Sequence, residues 1–228
     1  MSLSTVIFDL DGTLIDSEAN YHHSDQQFLE ARGIHLPEEH WKDVVGVGSR
    51  SFLRTLQRDY GLTGDLDDLL AEKDSCYLKI ARGNTRAFPQ MQLFVEACHS
   101  RGIKMAVASG SSREAIEKTL GWAGLEQYFP VRVSADEVAG GKPQPDIFIE
   151  AARRMGVDPG ECLVIEDSQY GVTAGKAAGM VCAAIPTVTT PPLAEAFLQA
   201  DILFPGGMTE FTAEGLIHQL TERFQWRM

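Results

Sequence analysis

The sequence predicts an α/β protein: a parallel sheet covered by helices on both faces, interrupted near its start by an all-helical insert. Three observations predict it. Short apolar runs alternate with longer amphipathic segments, the pattern of βαβ units. The runs are continuously apolar rather than alternating, as strands buried on both faces are. One long stretch, residues 17–83, carries apolar residues at helical spacing and no clear strand.

In chain order, the first strand is "TVIFD" (5–9). The insert follows, with Phe52, Leu53 and Leu56, then Leu66, Leu69 and Leu70, at helical spacing. Arg32-Gly33, Gly46-Val47-Gly48 and Gly61-Leu62-Thr63-Gly64 punctuate it as turns. Strands then recur at 104–109 ("KMAVAS"), 131–134 ("VRVS"), 162–166 ("CLVIE"), 181–186 ("VCAAIP") and 201–204 ("DILF"). Helical patterns fill the gaps at 90–101, 112–122, 144–155 and 169–179. The string "TVTTPPLAEAF" (187–197) reads as a Pro/Thr loop leading into a short helix. The expected organisation is a Rossmann-like core from residues 1–16 and 84–228, with 17–83 as a separate small helical domain.

Composition narrows the function classes. Of 228 residues, 44% are hydrophobic and 23% charged, the balance of a soluble globular protein. A formal net charge of −12 argues against a duplex nucleic-acid binder, which needs a basic surface. It leaves a small phosphate open as a ligand, because a metal ion or a few local cations reverse the local field. Cys76, Cys98, Cys162 and Cys182 are far apart and show no C-x-x-C spacing, so neither a zinc site nor a thioredoxin-like motif is expected. No segment approaches the roughly 20 apolar residues of a membrane span. The opening "MSLSTVIFDL" has no basic n-region and no signal-length apolar stretch. The expected setting is a reducing cytoplasm. No heptads or long apolar helix faces announce a partner, so a monomer is expected.

Ligands of a parallel α/β sheet bind outside the carboxyl ends of its strands. Asp9-Leu10-Asp11-Gly12-Thr13 follows the first strand, and Ser109-Gly110-Ser111-Ser112 the second. Gly140-Gly141-Lys142-Pro143 comes after the third, and Glu166-Asp167-Ser168 after the fourth. Each has a plainer reading alone: a turn, an N-cap, a solvated lysine, an acidic helix start. Their recurrence at successive strand ends points to one site, and the residue types suit phosphoryl transfer. Clustered carboxylates repel and need a cation, and hard oxygen ligands suit Mg²⁺. Asp9 and Asp11 are two apart, so an extended backbone points both to one side. One can attack phosphorus while the other handles the proton of the leaving group. Lys142, the Ser109 hydroxyl and the backbone N–H groups after it, Gly110 included, would hold phosphoryl oxygens.

These residues resemble a known family. "DLDGT", "VASGS", "GGKPQPDIF" and "IEDSQYGVTAGKAAGM" are similar to the four motifs of the haloacid dehalogenase-like hydrolases, in the subgroup of β-phosphoglucomutase and small sugar-phosphate phosphatases. The resemblance runs over essentially the whole chain, with residues 17–83 in the place of the family's helical cap. It implies that Asp9 is a nucleophile forming an aspartyl-phosphate, and Asp11 the general acid and then base. It implies phosphoryl binding by Ser109 and Lys142. It implies Mg²⁺ held by Asp9, the backbone carbonyl of Asp11 and Asp167, with Glu166 direct or through water. In the cap, Arg50 and Lys79 fall where related enzymes contact the distal part of the substrate; the alternative for each is a solvated helix charge.

Within the family, dehalogenases lack the second carboxylate, so Asp11 argues against that branch. The phosphonatase branch needs a cap lysine, and "VVGVGSRS" has none; Lys42 lies upstream, on a stretch that reads as a helix. Mutases of the subgroup carry a histidine at a fixed distance after the D-[ST] step. Here that position holds Tyr21, and His22 comes one residue late, about 100° around a helix. His22 and His23 therefore read as exposed helix-start histidines. The resulting expectation is a Mg²⁺-dependent phosphatase of a small phosphorylated metabolite, with a sugar phosphate foremost. A phosphohexomutase and a non-catalytic phospho-acceptor module are the alternatives.

Overall fold

The computed structural model describes residues 2–37, 40–41 and 46–226; Lys42 lies outside the described residues. Six strands form one parallel sheet: β2 (Thr5–Phe8), β3 (Lys104–Ser109), β4 (Val131–Ser134), β5 (Cys162–Glu166), β6 (Val181–Ala184) and β7 (Ile202–Leu203). Their order is β4-β3-β2-β5-β6-β7. The chain builds outward from β2 in one direction, then returns and builds outward in the other, so the strand order reverses at β2. Such a switch point opens a crevice at the carboxyl ends of the strands. Register places Phe8 between Val107 of β3 and Ile165 of β5, so all three strands deliver their next residues at one level.

The central strands are buried apart from Lys104 at the start of β3, and the alternation of their side chains splits the core in two. On one face Val6 and Phe8 pack with helices α4 (Pro89–Ser100), α5 (Arg113–Trp122) and α8 (Ala213–Arg223). Phe8 meets Phe94 and Phe129 at centroid distances of 6.1 and 5.5 Å. On the other, Ile7, Ala106 and Ala108 pack with α6 (Asp146–Met155) and α7 (Gln169–Ala177). The Pro/Thr loop leads into a 3-10 helix, Glu195–Gln199. Two short strands, β1 (Ser2–Leu3) and β8 (Gln225–Trp226), form a separate parallel ladder that joins the two ends of the described chain.

Between β2 and α4 the principal described elements are helices: α1 (Glu18–Glu30), α2 (Ser49–Asp59) and α3 (Leu66–Ala81). They share an apolar cluster of their own, Phe28, Leu29, Phe52, Leu53, Leu56, Leu69 and Leu70 among it. The chain leaves and re-enters the sheet side by side: Asp16 N donates to Arg86 O at 2.9 Å, and Ile15 bridges Ala87.

Candidate active site

The strand ends converge as the sequence expects. Asp9 continues β2, its N–H donating to Ile165 O at 3.0 Å. Gly12 then turns the chain at φ +76°, a conformation that favours glycine, and a Cβ there would meet Asp167 Oδ2 at 2.4 Å. The turn keeps Asp9 and Asp11 in one cavity but sends their carboxylates to different partners.

Asp9 pairs with Lys142, whose Nζ also lies 2.5 Å from Glu166 Oε1. Asp9 and Lys142 are each 6% exposed and Glu166 not at all. Glu166 Oε2 accepts from Asp167 N, Ser168 N and Ser168 Oγ at 2.9–3.0 Å. Asp167 is held by Thr187 Oγ1 at 2.6 Å and Thr13 Oγ1 at 3.4 Å. Oxygens of Asp9, Glu166 and Asp167 lie within 4.8 Å of one another, and the ammonium of Lys142 pairs with the first two of these buried carboxylates. Burial raises the carboxyl groups of Asp9 and Asp167 well above the usual range; Lys142 opposes this at Asp9, and the neighbouring carboxylates add to it at both. Burial works against the charge of Lys142, and Asp9 and Glu166 more than offset it, holding Lys142 above the usual lysine value. A compact set of hard oxygen donors with excess negative charge fits a divalent cation such as Mg²⁺.

Asp11 is set apart by hydroxyls. Ser17 Oγ donates to Oδ1 at 2.8 Å, and Ser111 Oγ to Oδ2 at 2.6 Å; Ser109 Oγ lies 3.4 Å from Oδ2. Ser17 is the N-cap of α1 but makes no side-chain cap bond, because its hydroxyl serves Asp11 instead. Burial raises the Asp11 carboxyl, and the hydroxyl bonds from Ser111 and Ser17 oppose it. Tyr21 Oη lies 2.7 Å from Ser111 Oγ. Since the single Ser111 proton goes to Asp11, the phenol donates to Ser111. The Tyr21 ring stacks on Tyr77 at 3.8 Å.

Asp9, Asp11, Tyr21, Ser109, Ser111, Lys142 and Asp167 line a cavity of about 240 Å³ between the strand ends and the inserted helices. Among the described residues its acidic lining residues are Asp9, Asp11, Glu18, Asp25 and Asp167, and its lysines are Lys73 and Lys142. Gly110 closes one side so tightly against Gly48 that a Cβ at Gly110 would meet Gly48 Cα at 3.0 Å. The helix starts behind Ser109 and Asp167 are capped by Ser112 and Ser168 and bring their partial positive ends to the site.

The structure thus brings Asp9, Asp11, Ser109, Gly110, Lys142, Glu166 and Asp167 together. It does not bring Arg50 or Lys79 to the cavity. Arg50 faces the acidic first turn of α3, 2.9 Å from Asp67, with Asp136 at 3.6 Å. Lys79 is exposed on α3, six residues beyond inward-facing Lys73 and so about 240° around the helix. His23 is exposed and bonded to Gln27 at 3.0 Å, as expected. His22 departs from expectation: it is half-buried in the cavity wall, its ring 4.5 Å from Trp41. Sequence reasoning missed Glu18, Asp25, Lys73, Ser17 and Ser111 and gave Tyr21 no role. A signal existed, since Glu18, Tyr21, His22 and Asp25 recur at i, i+3, i+4 and i+7, one face of a helix.

Comparisons with known proteins agree on the family. A family model described as "Hydrolase: haloacid dehalogenase-like hydrolase" matches residues 3–179. The chain is 36% identical over 186 residues to the bifunctional riboflavin kinase/FMN phosphatase of Arabidopsis thaliana; the match covers 81% of this chain and 49% of that protein, so the chain spans about half its length. It is 33% identical over 183 residues to the phosphorylated carbohydrates phosphatase of Thermotoga maritima, covering 78% of this chain and 82% of the relative. The crystal structure of β-phosphoglucomutase from Clostridium difficile shares the fold, with a TM-score of 0.81 at 22% identity over 96% of this chain and 98% of the other.

Proposed function

The chain belongs to the haloacid dehalogenase-like hydrolases, and from that premise we propose that it is a Mg²⁺-dependent phosphatase of a small phosphorylated metabolite, with residues 17–83 as its cap. In this reading Asp9 Oδ attacks phosphorus as the bond to the leaving oxygen breaks, and the phosphoryl group passes to Asp9 as an acyl phosphate. Asp11 gives its proton to the leaving oxygen. It then takes a proton from a water that attacks the phosphorus, which releases inorganic phosphate and restores the Asp9 carboxylate. Ser109 Oγ, the Gly110 N–H and Lys142 Nζ hold the phosphoryl oxygens. Asp9, Asp167 and the Asp11 carbonyl would bind Mg²⁺, with Glu166 beside them. Bound there, the ion offsets the charge of the phosphoryl group.

One observation carries the reading. Asp9 sits in a carboxylate cluster that lacks charge balance, while Asp11, two residues on, is held apart by hydroxyls suited to a proton-transfer group. The modest size of the cavity, about 240 Å³, supports a small substrate over a folded phosphoprotein. The name of the Thermotoga maritima relative supports a sugar phosphate.

The test is hydrolysis of p-nitrophenyl phosphate with Mg²⁺, followed by a screen of phosphorylated metabolites and phosphopeptides for released phosphate. Turnover that Asp9→Asn abolishes is expected, with metabolites ahead of phosphopeptides. No turnover, or turnover unchanged by Asp9→Asn, overturns the hydrolase reading. In the same plate, β-glucose 1-phosphate with a bisphosphate primer is expected to release phosphate without isomerising.

A further inference from the structure

The wall of the cavity formed by the inserted helices contains an ion pair that the proposed chemistry does not use. Lys73 Nζ of α3 lies 2.7 Å from Asp25 Oδ1 of α1, with Lys73 2% and Asp25 7% exposed. Both line the cavity. Beyond this ion-pair contact, Asp25 Oδ1 has no hydrogen-bond donor among the described residues. A nearly buried carboxylate oxygen left unsatisfied costs free energy until something donates to it. Aromatic faces surround the pair: Lys73 Nζ is 4.9 Å from the Tyr21 ring centroid and 5.5 Å from that of Phe52.

We propose that the Asp25–Lys73 pair selects the far end of the substrate, and that the group it selects is an uncharged vicinal diol. The inference rests on the phosphatase reading and deepens it. A closed pair offers a neutral ligand two complementary contacts: one hydroxyl donates to the unsatisfied Asp25 oxygen, and its neighbour accepts from a remaining Lys73 N–H. The pair offers an anion little, because the positive charge of Lys73 is already matched. Among the described residues of the lining the other lysine, Lys142, is held by Asp9 and Glu166. Among the described residues, a second phosphate or a carboxylate at the far end therefore meets no unpaired ammonium and faces Asp25 and Glu18. An alkyl chain fails differently, by leaving the nearly buried Asp25 oxygen without a further donor. The substrate class is a sugar or polyol monophosphate with a neutral far end, not a bisphosphate or a phosphorylated acid.

Three six-carbon phosphates isolate the far end: sorbitol 6-phosphate, 6-phosphogluconate and n-hexyl phosphate. The wild type is expected to favour sorbitol 6-phosphate over each of the others in kcat/KM by at least about tenfold, since a site built to bond hydroxyls rejects analogues lacking them. Asp25→Asn leaves Lys73 unmatched, so preference should shift toward 6-phosphogluconate by about tenfold. The double variant Asp25→Leu/Lys73→Met removes both charges together, which buried pairs tolerate better than loss of one. It should flatten the preference for sorbitol 6-phosphate over n-hexyl phosphate, chiefly through KM. A merely structural pair would lower all three substrates in parallel, and that result, or a wild type indifferent to the far end, overturns the assignment. Calorimetric binding of the three compounds to Asp9→Asn separates the two readings. Discrimination in binding without wild-type phosphate release sinks the phosphatase reading alone; release without discrimination sinks the role of the pair alone.

Discussion

Tyr21 Oη and Ser111 Oγ, 2.7 Å apart, join an inserted helix to the end of a core strand through hydroxyls alone, and the second hydroxyl continues to Asp11. The phenol thereby fixes which way the Ser111 proton points. Tyr21→Phe removes that donor while keeping the ring stacked on Tyr77. A net hydrogen bond contributes about 1 kcal/mol, so kcat should fall about fivefold with Tm nearly unchanged. Steady-state kinetics beside a thermal melt checks this; an unaltered kcat removes Tyr21 from the positioning of Asp11.

Glu18 sets a pH dependence. Burial first, then Asp11, Asp25 and Asp16, raise its carboxyl from 4.5 to about 7. The folded state thus holds the proton more tightly than the unfolded state. The stability this represents is complete below about pH 4.5 and is lost as pH rises toward 7. Glu18→Gln removes the loss, worth on the order of 1–3 kcal/mol above neutrality. Melts of both proteins in EDTA from pH 4 to 8 should diverge as pH rises and run parallel beyond about 7. A constant offset across that range contradicts the assignment.

The carboxylate cluster should make the fold sensitive to divalent cations. Ligand at a hundred times its Kd stabilises by about 2.7 kcal/mol, which in a chain of this size raises Tm by roughly 5–10 °C. Asp167→Asn should lose that response and, without metal, melt higher than the wild type, because it removes one of three buried like charges. Melts with and without Mg²⁺ decide it, and an intact Mg²⁺ response in the variant takes Asp167 out of the metal set.

Gly12 is the fourth sensitive point. Gly12→Ala combines a positive φ with a Cβ placed at 2.4 Å from Asp167 Oδ2. It should destabilise by about 1–3 kcal/mol and raise the Mg²⁺ concentration needed for half-maximal turnover, as Asp167 is pushed aside. Mg²⁺ titrations of activity would show the shift; wild-type titrations and melts would contradict the geometry.

The sheet was legible in the sequence for a physical reason. Strands covered on both faces must be apolar at every position, so "VIF", "MAVA" and "LVI" stand out without knowledge of their neighbours. The groups at their ends were legible because a carboxylate after such a run has few structural uses. The cap side was not. Whether a helical cation faces the cavity depends on the rotation of its helix against its neighbours, which turned Lys73 inward and Lys79 outward on the same helix. Arg50 was misplaced because the acid that holds it, Asp67, lies in a different helix. The ladder of β1 and β8 is two residues a side, too short to show a period, and forms only because distant parts of the chain meet.

The Asp25–Lys73 pair and the Asp9 cluster are encoded far apart, the first wholly in the inserted helices and the second wholly at the ends of the sheet. Mutations in one therefore leave the other's contacts standing. A duplicated gene can drift in the insert, trading one matched pair for a lone cation or an apolar patch, and reach a new metabolite while its inherited chemistry runs on unchanged.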